Sequence, residues 1–419
     1  MCKYLVNGGN KIEGVLDIRG AKNSVLPILA STILNENKSI IHNVSGISDV
    51  YLMINILKSV GCKVSYENGT VTVDSTNITS SEIEKEYVEK MRSSIIVMGA
   101  MIGRCDYAKI SYPGGCKIGD RPIDLHLKGF KKLGVKIVCD GEDEIKCFRE
   151  NLVGNIIDLE FPSVGATENI MLASVKAKGK TIINNSAREP EIEDLQDFLN
   201  KMGAKVYGAG TNQIIIEGVE KLNAVEHSVI PDRIAIGTYM IASAITGGTL
   251  EVLNVVHSHM NEIYNKLELA GCEFEILNKK VIMKSPKNIQ AIDFVKTTPH
   301  PGFPTDMQSQ LMTLMTLSSG ESIFNETIFE NRFMHASELK KMGANIDILN
   351  NNFCVVKGVK NLIGQKVKSP DLRGGASLVL AGLSIFGETE IDDIYHIERG
   401  YEDFEGVLKS LGADIKRLP

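Results

Sequence analysis

Six short segments of this chain share one pattern, and that repeat limits the fold more than any other feature. LKSVGCKVSY, FKKLGVKIVC, LNKMGAKVYG, LELAGCEFEI, LKKMGANIDI and LKSLGADIKR each read as the end of an amphipathic helix, a glycine and a strand start. The glycines are Gly61, Gly134, Gly203, Gly271, Gly343 and Gly412, spaced by about 70 residues, longer than most solenoid periods. Glycine suits this place because a helix commonly ends on a left-handed residue, which costs glycine nothing. About 40 residues ahead of each glycine lies a small-residue-rich apolar helix, long enough to be a buried element. These read SVLPILASTIL, SIIVMGAMI, ENIMLASVKAKG, IAIGTYMIASAITGG, QSQLMTLMTLSSG and ASLVLAGLSIFG. Most are followed by Gly-x-Thr or Gly-x-Ser and a strand, as in GKTIINN, GGTLEVL, GESIFNE and GETEIDD. The repeating unit is therefore buried helix, strand, loop, amphipathic helix, then a strand or a hairpin such as CKVSYENGTVTV.

A chain of 419 residues is too long for one ordinary core. Six units divide into two domains of three, giving an α/β fold with buried helices at each centre and mixed sheets outside. The crossover near Val229 to Ile234 is the expected linker, which places one domain at 22–230. The opening strand precedes the first unit, so residues 1–21 are expected to complete a discontinuous domain with 231–419.

The net charge of -6 argues against a general nucleic-acid binder, so an anionic ligand has to be met by locally gathered cations. Tryptophan is absent, and aromatic stacking is not a theme. The eight cysteines include no C-x-x-C pair and so give neither a zinc nor a thioredoxin pattern. Cys62, Cys139, Cys147, Cys272 and Cys354 lie in strand-like runs and read as small core filler, while Cys2 and Cys105 carry no reactive context. The closest histidine pair, His257-x-His259, lacks the third ligand of a metal site. The opening MCKYLVNGGNKIEGV alternates like a strand and lacks a signal peptide's apolar core. The longest apolar run, Ile234 to Ile245, is too short to cross a bilayer, so neither membrane insertion nor export is expected, and the expected address is the cytoplasm.

Chemistry concentrates in SYPGGCKIGDRPIDLH, Ser111 to His126. Its glycines let backbone approach a ligand, and Cys116 sits beside Lys117, a cation that favours the reactive thiolate. The competing reading of this stretch is a surface turn with an incidental cysteine. The starts of the buried helices carry a second theme: Lys22-Asn23, Arg92, Ser163-Val164-Gly165, Asp232-Arg233, Thr305-Asp306 and Asp371-Leu372-Arg373. Helix N-termini favour anions, so a cation there is unfavourable unless an anionic ligand or a neighbouring carboxylate offsets it. Arg121, Arg332 and Arg399 occupy nearly equivalent places ahead of Gly134, Gly343 and Gly412. With Lys22, Arg92 and Arg373 they make six cations suited to phosphate or carboxylate, and Asp306 in FPTDMQ is the carboxylate among them, suited to act as a base on a substrate hydroxyl. Arg188-Glu189 and Glu191 read as a charged loop capping the next helix, and Lys201 and Lys205 as solvated helix-end charges.

GAKN at Gly20 to Asn23, PGGCKIGDRPIDLH, SVGATENIM, FPTDMQ, ENRFMH, DLRGGASLVLAG and YHIERGYE resemble the UDP-N-acetylglucosamine enolpyruvyl transferase family from end to end. The resemblance implies a two-domain inside-out α/β barrel with its active site in the cleft between the domains. It implies transfer of enolpyruvate from phosphoenolpyruvate to the sugar nucleotide's 3-hydroxyl, without metal or organic cofactor. It further implies that Lys22, Arg121 and Arg399 hold the phosphate of phosphoenolpyruvate, and Arg332 and Arg373 its carboxylate. Asn23, Asp306 and the backbone of Ile328 would position the sugar. Arg121, Pro122, Ile123, Asp124 and Leu125 would line the uridine, with Ser163, Val164 and Gly165 near the diphosphate and Arg92 helping to hold the closed state. Cys116 would deliver a proton to the methylene carbon and react with the epoxide antibiotic fosfomycin; Asp306 would deprotonate the hydroxyl. One departure is visible: Phe161-Pro162 stands where some members place a lysine before the serine. The shikimate-pathway relative shares the fold but not this form of the cysteine loop, and a non-catalytic paralogue would be free to lose the set Lys22, Cys116, Asp306, Arg332, Arg373 and Arg399, intact here.

Overall fold

The computed structural model describes residues 2–112, 123–140 and 144–419. Among these, the chain divides into two compact units, one of 19–112 and 123–230, the other of 2–18 and 231–419. Each has its own hydrophobic core. The unit that starts at Arg19 takes in three residues more than the sequence boundary gave it. The reason is a lacing of backbone: Gly20 N–H donates to Asn43 O at 2.9 Å and Ala21 N–H to Ile230 O at 2.8 Å.

The repeats account for the architecture. In the first, the buried helix Lys22–Ser31 leads to strand Lys38–His42, the amphipathic helix Ser48–Ser59 and the hairpin Lys63–Glu67 with Thr70–Asp74. Among the described residues there are six sheets of four strands, each with one parallel pair at an edge followed by two antiparallel pairs. The parallel edge strand is short, and it comes from the tail of the preceding repeat. Thus Glu82–Ile83 pairs with Tyr107–Ser111, and Ile156–Asp158 with Lys180–Asn184. Val225–Ser228 returns to Lys38–His42 and closes the first ring of three. These two- to four-residue strands are too short for an alternation pattern, so sequence reading passed over them.

The second ring is closed by the start of the chain. Lys3–Asn7 pairs antiparallel with both Glu388–Asp392 and Asp414–Leu418, and Gly14–Asp17 pairs parallel with Thr249–Leu253. The last repeat is therefore circularly permuted: its final hairpin strand and its tail strand are the chain's first residues.

Three buried helices pack together at the centre of each unit: Lys22–Ser31, Ile96–Arg104 and Val164–Ser174 in one, Arg233–Thr246, Gln308–Met315 and Leu372–Leu383 in the other. Burial runs right round them; every residue from Arg233 to Ile245 is buried. Such helices owe their stability to packing rather than to an amphipathic stripe. All six repeat glycines follow the second helix with φ between 87° and 105°, the left-handed region that a Cβ disfavours.

Some sequence readings need correction. Cys62, Cys147, Cys272 and Cys354 are buried, but Cys139 lies on the edge strand Val135–Asp140 and is exposed. Helix Pro190–Lys201 begins with proline and takes no side-chain cap from Glu189, and Glu191 is a buried residue of the helix rather than part of the charged loop ahead of it. Lys201 is not merely solvated, since its Nζ lies 3.1 Å from His227 Nδ1. His257 is engaged by Tyr264 Oη at 3.1 Å and the carbonyl of Leu277 at 2.7 Å. Among the described residues no helix is long and apolar enough to cross a membrane.

Candidate active site

In the unit of residues 231–419, three sequence-selected residues meet. Asp306 lies in the 3-10 turn Thr305–Met307, just ahead of helix Gln308–Met315. Its Oδ1 is 3.0 Å from Arg332 Nη2 and its Oδ2 is 3.2 Å from Arg373 Nη2. Arg332 and Arg373 are each 2 % exposed, so the carboxylate is clamped by two buried cations. Arg332 also donates to the carbonyl of Thr305 at 3.2 Å and lies 3.9 Å from Asp371 Oδ1. Asp371 caps helix Leu372–Leu383 by accepting the N–H groups of Arg373 and Gly374, which offsets a cation at that N-terminus.

A polar brace fixes the orientation of this pair. The Arg373 guanidinium sits over the ring of Tyr401, 5.3 Å from its centroid. Tyr401 Oη is 2.9 Å from Thr238 Oγ1, and Gln310 Nε2 reaches the Asp306 carbonyl at 2.9 Å, Thr238 Oγ1 at 3.1 Å and Tyr401 Oη at 3.3 Å. Burial opposes charge on Arg373, but Tyr401, Asp306 and Asp232 hold its affinity for a proton above the ordinary value. Arg332 Nε, Arg373 Nε and Nη1 and Asp371 Oδ2 are buried without a hydrogen-bond partner among the described residues. Leaving charged donors unspent inside a protein is expensive, and these donors suit a planar anion. His335, fully buried beside Asp371 and Arg332, has its pKa pushed down to about 4, by burial first, with Asp371 opposing and Arg332 adding. Arg399 is half-buried and follows the short helix Tyr395–Glu398, and Ile328 donates its N–H to Glu326 Oε1 at 2.8 Å.

In the unit of residues 19–230 the selected residues sit at helix starts. Lys22 is the first residue of Lys22–Ser31, and its Nζ is 2.7 Å from Asp49 Oδ2 in a nearly buried pair; Asn23 beside it is exposed. Arg92, half-buried, opens the 3-10 turn Arg92–Ile95. Ser163 caps Val164–Ser174 by accepting the Ala166 N–H at 3.3 Å, which places Val164 and Gly165 in the first turn. Ile123 is buried directly ahead of helix Asp124–Lys132, Asp124 pairs with Lys128 at 3.3 Å, and Leu125 packs on the core. Asn169 ties these starts together. Its Nδ2 donates to the Ile95 carbonyl and to His126 Nδ1, each at 2.8 Å, and its Oδ1 accepts the Gly99 N–H at 2.7 Å. His126 Nδ1 is thereby an acceptor, and a Cβ at Gly165 would come within 3.2 Å of the ring. Cys116, Arg121 and Pro122 lie outside the described residues.

Sequence reading found the cations but not their holders. Asp49, in the first turn of helix Ser48–Ser59, carries no signal of its own in the sequence, although it neutralises Lys22. Tyr401 stands two places after Arg399 within a motif already singled out, and its aromatic ring was the available signal.

Comparison with known proteins fits this geometry. Residues 6–408 match the family model described as EPSP synthase (3-phosphoshikimate 1-carboxyvinyltransferase). The chain is 50% identical over 418 residues to UDP-N-acetylglucosamine 1-carboxyvinyltransferase 2 of Caldanaerobacter subterraneus subsp. tengcongensis, covering 100% of both. It is 46% identical over 421 residues to UDP-N-acetylglucosamine 1-carboxyvinyltransferase 1 of Staphylococcus aureus, again covering 100% of both. Among solved structures, the enolpyruvyl transferase NikO from Streptomyces tendae matches with a TM-score of 0.90 at 22% identity, over 100% of this chain and 99% of that one. EPSP synthase from Acinetobacter baumannii matches with a TM-score of 0.78 at 16% identity over 100% of both. The fold is thus that of the enolpyruvyl transferases, and by full-length identity the chain belongs to the UDP-N-acetylglucosamine 1-carboxyvinyltransferase family.

Proposed function

We propose that this chain transfers the enolpyruvyl group of phosphoenolpyruvate to the 3-hydroxyl of UDP-N-acetylglucosamine, releasing phosphate, in cytoplasmic peptidoglycan synthesis. The observation that carries the reading is the Asp306 carboxylate held between the buried guanidiniums of Arg332 and Arg373, in a chain of this family. Two fixed forks with unspent donors suit the carboxylate of phosphoenolpyruvate. When that carboxylate takes the forks, Asp306 is released from them and can accept the proton of the sugar hydroxyl. The hydroxyl oxygen then bonds to the central carbon of phosphoenolpyruvate while the methylene carbon gains a proton from Cys116. The product of this addition is a tetrahedral ketal. The Cys116 thiolate left by the first step takes back a methyl proton as phosphate departs with its bonding pair, and the double bond is restored. Lys22, Arg121 and Arg399 would hold that phosphate, and the charge that develops on it is met by fixed cations. Asn23, Asp306 and the backbone of Ile328 would seat the sugar. Pro122, Ile123, Asp124 and Leu125 with Arg121 would line the uridine, and Ser163, Val164 and Gly165 would meet the diphosphate at a helix N-terminus. Arg92 would help to hold the loaded state. Fosfomycin would alkylate Cys116 and stop turnover.

Phosphate release from phosphoenolpyruvate tests the reading, with UDP-N-acetylglucosamine in one tube and shikimate 3-phosphate in another. Release with the sugar nucleotide alone, abolished by fosfomycin, is expected. Release with the shikimate ester alone would overturn the substrate and keep the reaction class. Silence in both tubes, with sugar-nucleotide binding retained, would favour a non-catalytic paralogue.

A further inference from the structure

We infer that Asp194 is a positioning residue for substrate binding: it fixes the start of helix Lys22–Ser31 and so the places of Lys22 and Asn23, while His227 and Lys201 hold it from behind. The inference rests on the reading above, in which Lys22 and Asn23 touch substrate.

The first turn of helix Lys22–Ser31 has no side-chain cap. Its N-cap residue, Ala21, offers no side-chain acceptor, so something else has to set the direction of the first turn. Asp194 does so from helix Pro190–Lys201. Its Oδ2 accepts the hydroxyl of Ser24, one residue beyond Asn23, and also the Ile230 N–H at 3.3 Å. Ile230 in turn accepts the Ala21 N–H at 2.8 Å. One carboxylate oxygen therefore closes a loop of bonds around the backbone that carries Lys22 and Asn23, at the place where the chain passes between the two units.

The other oxygen, Oδ1, is 2.8 Å from His227 Nε2, and His227 Nδ1 is 3.1 Å from Lys201 Nζ. An ammonium can only donate, so Nδ1 accepts, and the ring proton lies on Nε2, where it is donated to Asp194. Phe198 packs edge-on against the imidazole at 5.6 Å. Ser24, Asp194 and His227 are all buried, at 0 %, 4 % and 4 % exposure. The sequence serine–carboxylate–imidazole, rather than serine–imidazole–carboxylate, and this burial exclude a hydrolytic triad. What remains is a rigid strut from Lys201 to the first turn behind the ligand-binding residues.

Asp194→Asn separates the roles. An amide cannot accept from Ser24, Ile230 and His227 together, so one of the three bonds is lost without loss of volume. At equal folded concentration, we expect the KM for UDP-N-acetylglucosamine to rise about tenfold in Asp194→Asn and in His227→Leu. His227→Gln, which can still donate to Asp194 from Nε2, should stay within about twofold of wild type. Folded Asp194→Asn with unchanged KM, or equal behaviour of His227→Gln and His227→Leu, would overturn the inference. Should Asp194→Asn fail to fold, Ser24→Ala decides: a raised KM supports the strut and an unchanged one removes it. Wild-type protein silent with both substrates would instead overturn the functional reading, and this inference with it.

Discussion

In the unit of residues 231–419, two arginines share one carboxylate, each lies over an aromatic ring (Arg332 over Phe329, Arg373 over Tyr401), and a glutamine ties the Tyr401 hydroxyl to the backbone of the carboxylate residue. In the unit of residues 19–230, Lys22 meets Asp49 at 2.7 Å, and the helix that bears it is aimed from outside by Asp194. The first arrangement fixes planar forks, which recognise a planar anion by shape as well as by charge. The second presents a compact ammonium on a flexible stem, whose direction depends on where its helix starts. A substrate carboxylate therefore suits the first unit and a phosphate, less demanding of angle, the second.

The largest expected effect comes from breaking the forks. Arg373→Ala should lower kcat/KM for phosphoenolpyruvate about 1,000-fold, the loss of about 4 kcal/mol that follows truncation of a buried hydrogen-bonded charge. Arg373→Lys should recover only part of this, since an ammonium cannot lie flat on Tyr401 and still present two parallel donors. Recovery to within threefold of wild type by lysine would mean that charge, not the fork, is what this unit supplies.

Asp49→Asn tests the other side of the comparison. Breaking a buried pair costs about 3–5 kcal/mol of stability by removing one partner, so the melting temperature should fall clearly. Activity at a temperature where the variant is folded should fall less than in Arg373→Ala, because Lys22 keeps the charge proposed to meet the phosphate. A larger loss of kcat/KM than in Arg373→Ala would reverse the ranking of the two units.

One buried group in each unit responds to pH with opposite sign. His335 has a folded pKa of about 4, below its ordinary value of 6.5. Its contribution is present above the ordinary value and is lost as pH falls from about 6.5 towards about 4, where the unfolded chain takes up a proton that the folded chain refuses. Glu168, fully buried in the other unit, is pushed well above the carboxylate range, by burial first and then by Glu191 and Glu189. Its contribution is complete below the ordinary value of 4.5 and is lost as pH rises. Thermal melts across pH should therefore show Glu168→Gln gaining on wild type as pH increases. His335→Leu should flatten the acid side. A Glu168→Gln melt that runs parallel to wild type at every pH would remove Glu168 from this account.

The smallest effect belongs to Tyr401→Phe. It keeps the ring beneath Arg373 and drops only the hydroxyl that meets Thr238 and Gln310. About 1 kcal/mol, or roughly fivefold in kcat/KM, is expected from one hydrogen bond. No change at all would show that the ring, not the hydroxyl, orients the fork.

Much of this was legible in the chain itself. The six glycines announced the repeat because a left-handed helix end leaves one residue type with no steric penalty, and all six hold that conformation. The starts of the buried helices announced the charged residues, because cations are out of place there unless something offsets them. Partners separated in sequence were not legible. Lys201 reads as a helix-end charge until His227, 26 residues on, is folded against it. Cys139 looks like core filler because alternation names the two faces of a strand, not which strand forms the edge. Asn43, Asn185 and Asn254, all at positive φ just after the first strand of their repeats, form a second recurring signal that sequence inspection could have caught.

The permuted last repeat sets an order of events during synthesis. Every strand of the ring formed by residues 19–230 is available once Ser228 has left the ribosome, so that unit can finish folding while the remainder is still being made. The other ring has to wait. Lys3–Asn7 is made long before its partners Glu388–Asp392 and Asp414–Leu418, and its edges stay unpaired until they follow. The second unit is complete only once Asp414–Leu418 has been made, and the early-made strand Lys3–Asn7 is the segment most exposed to mispairing in between.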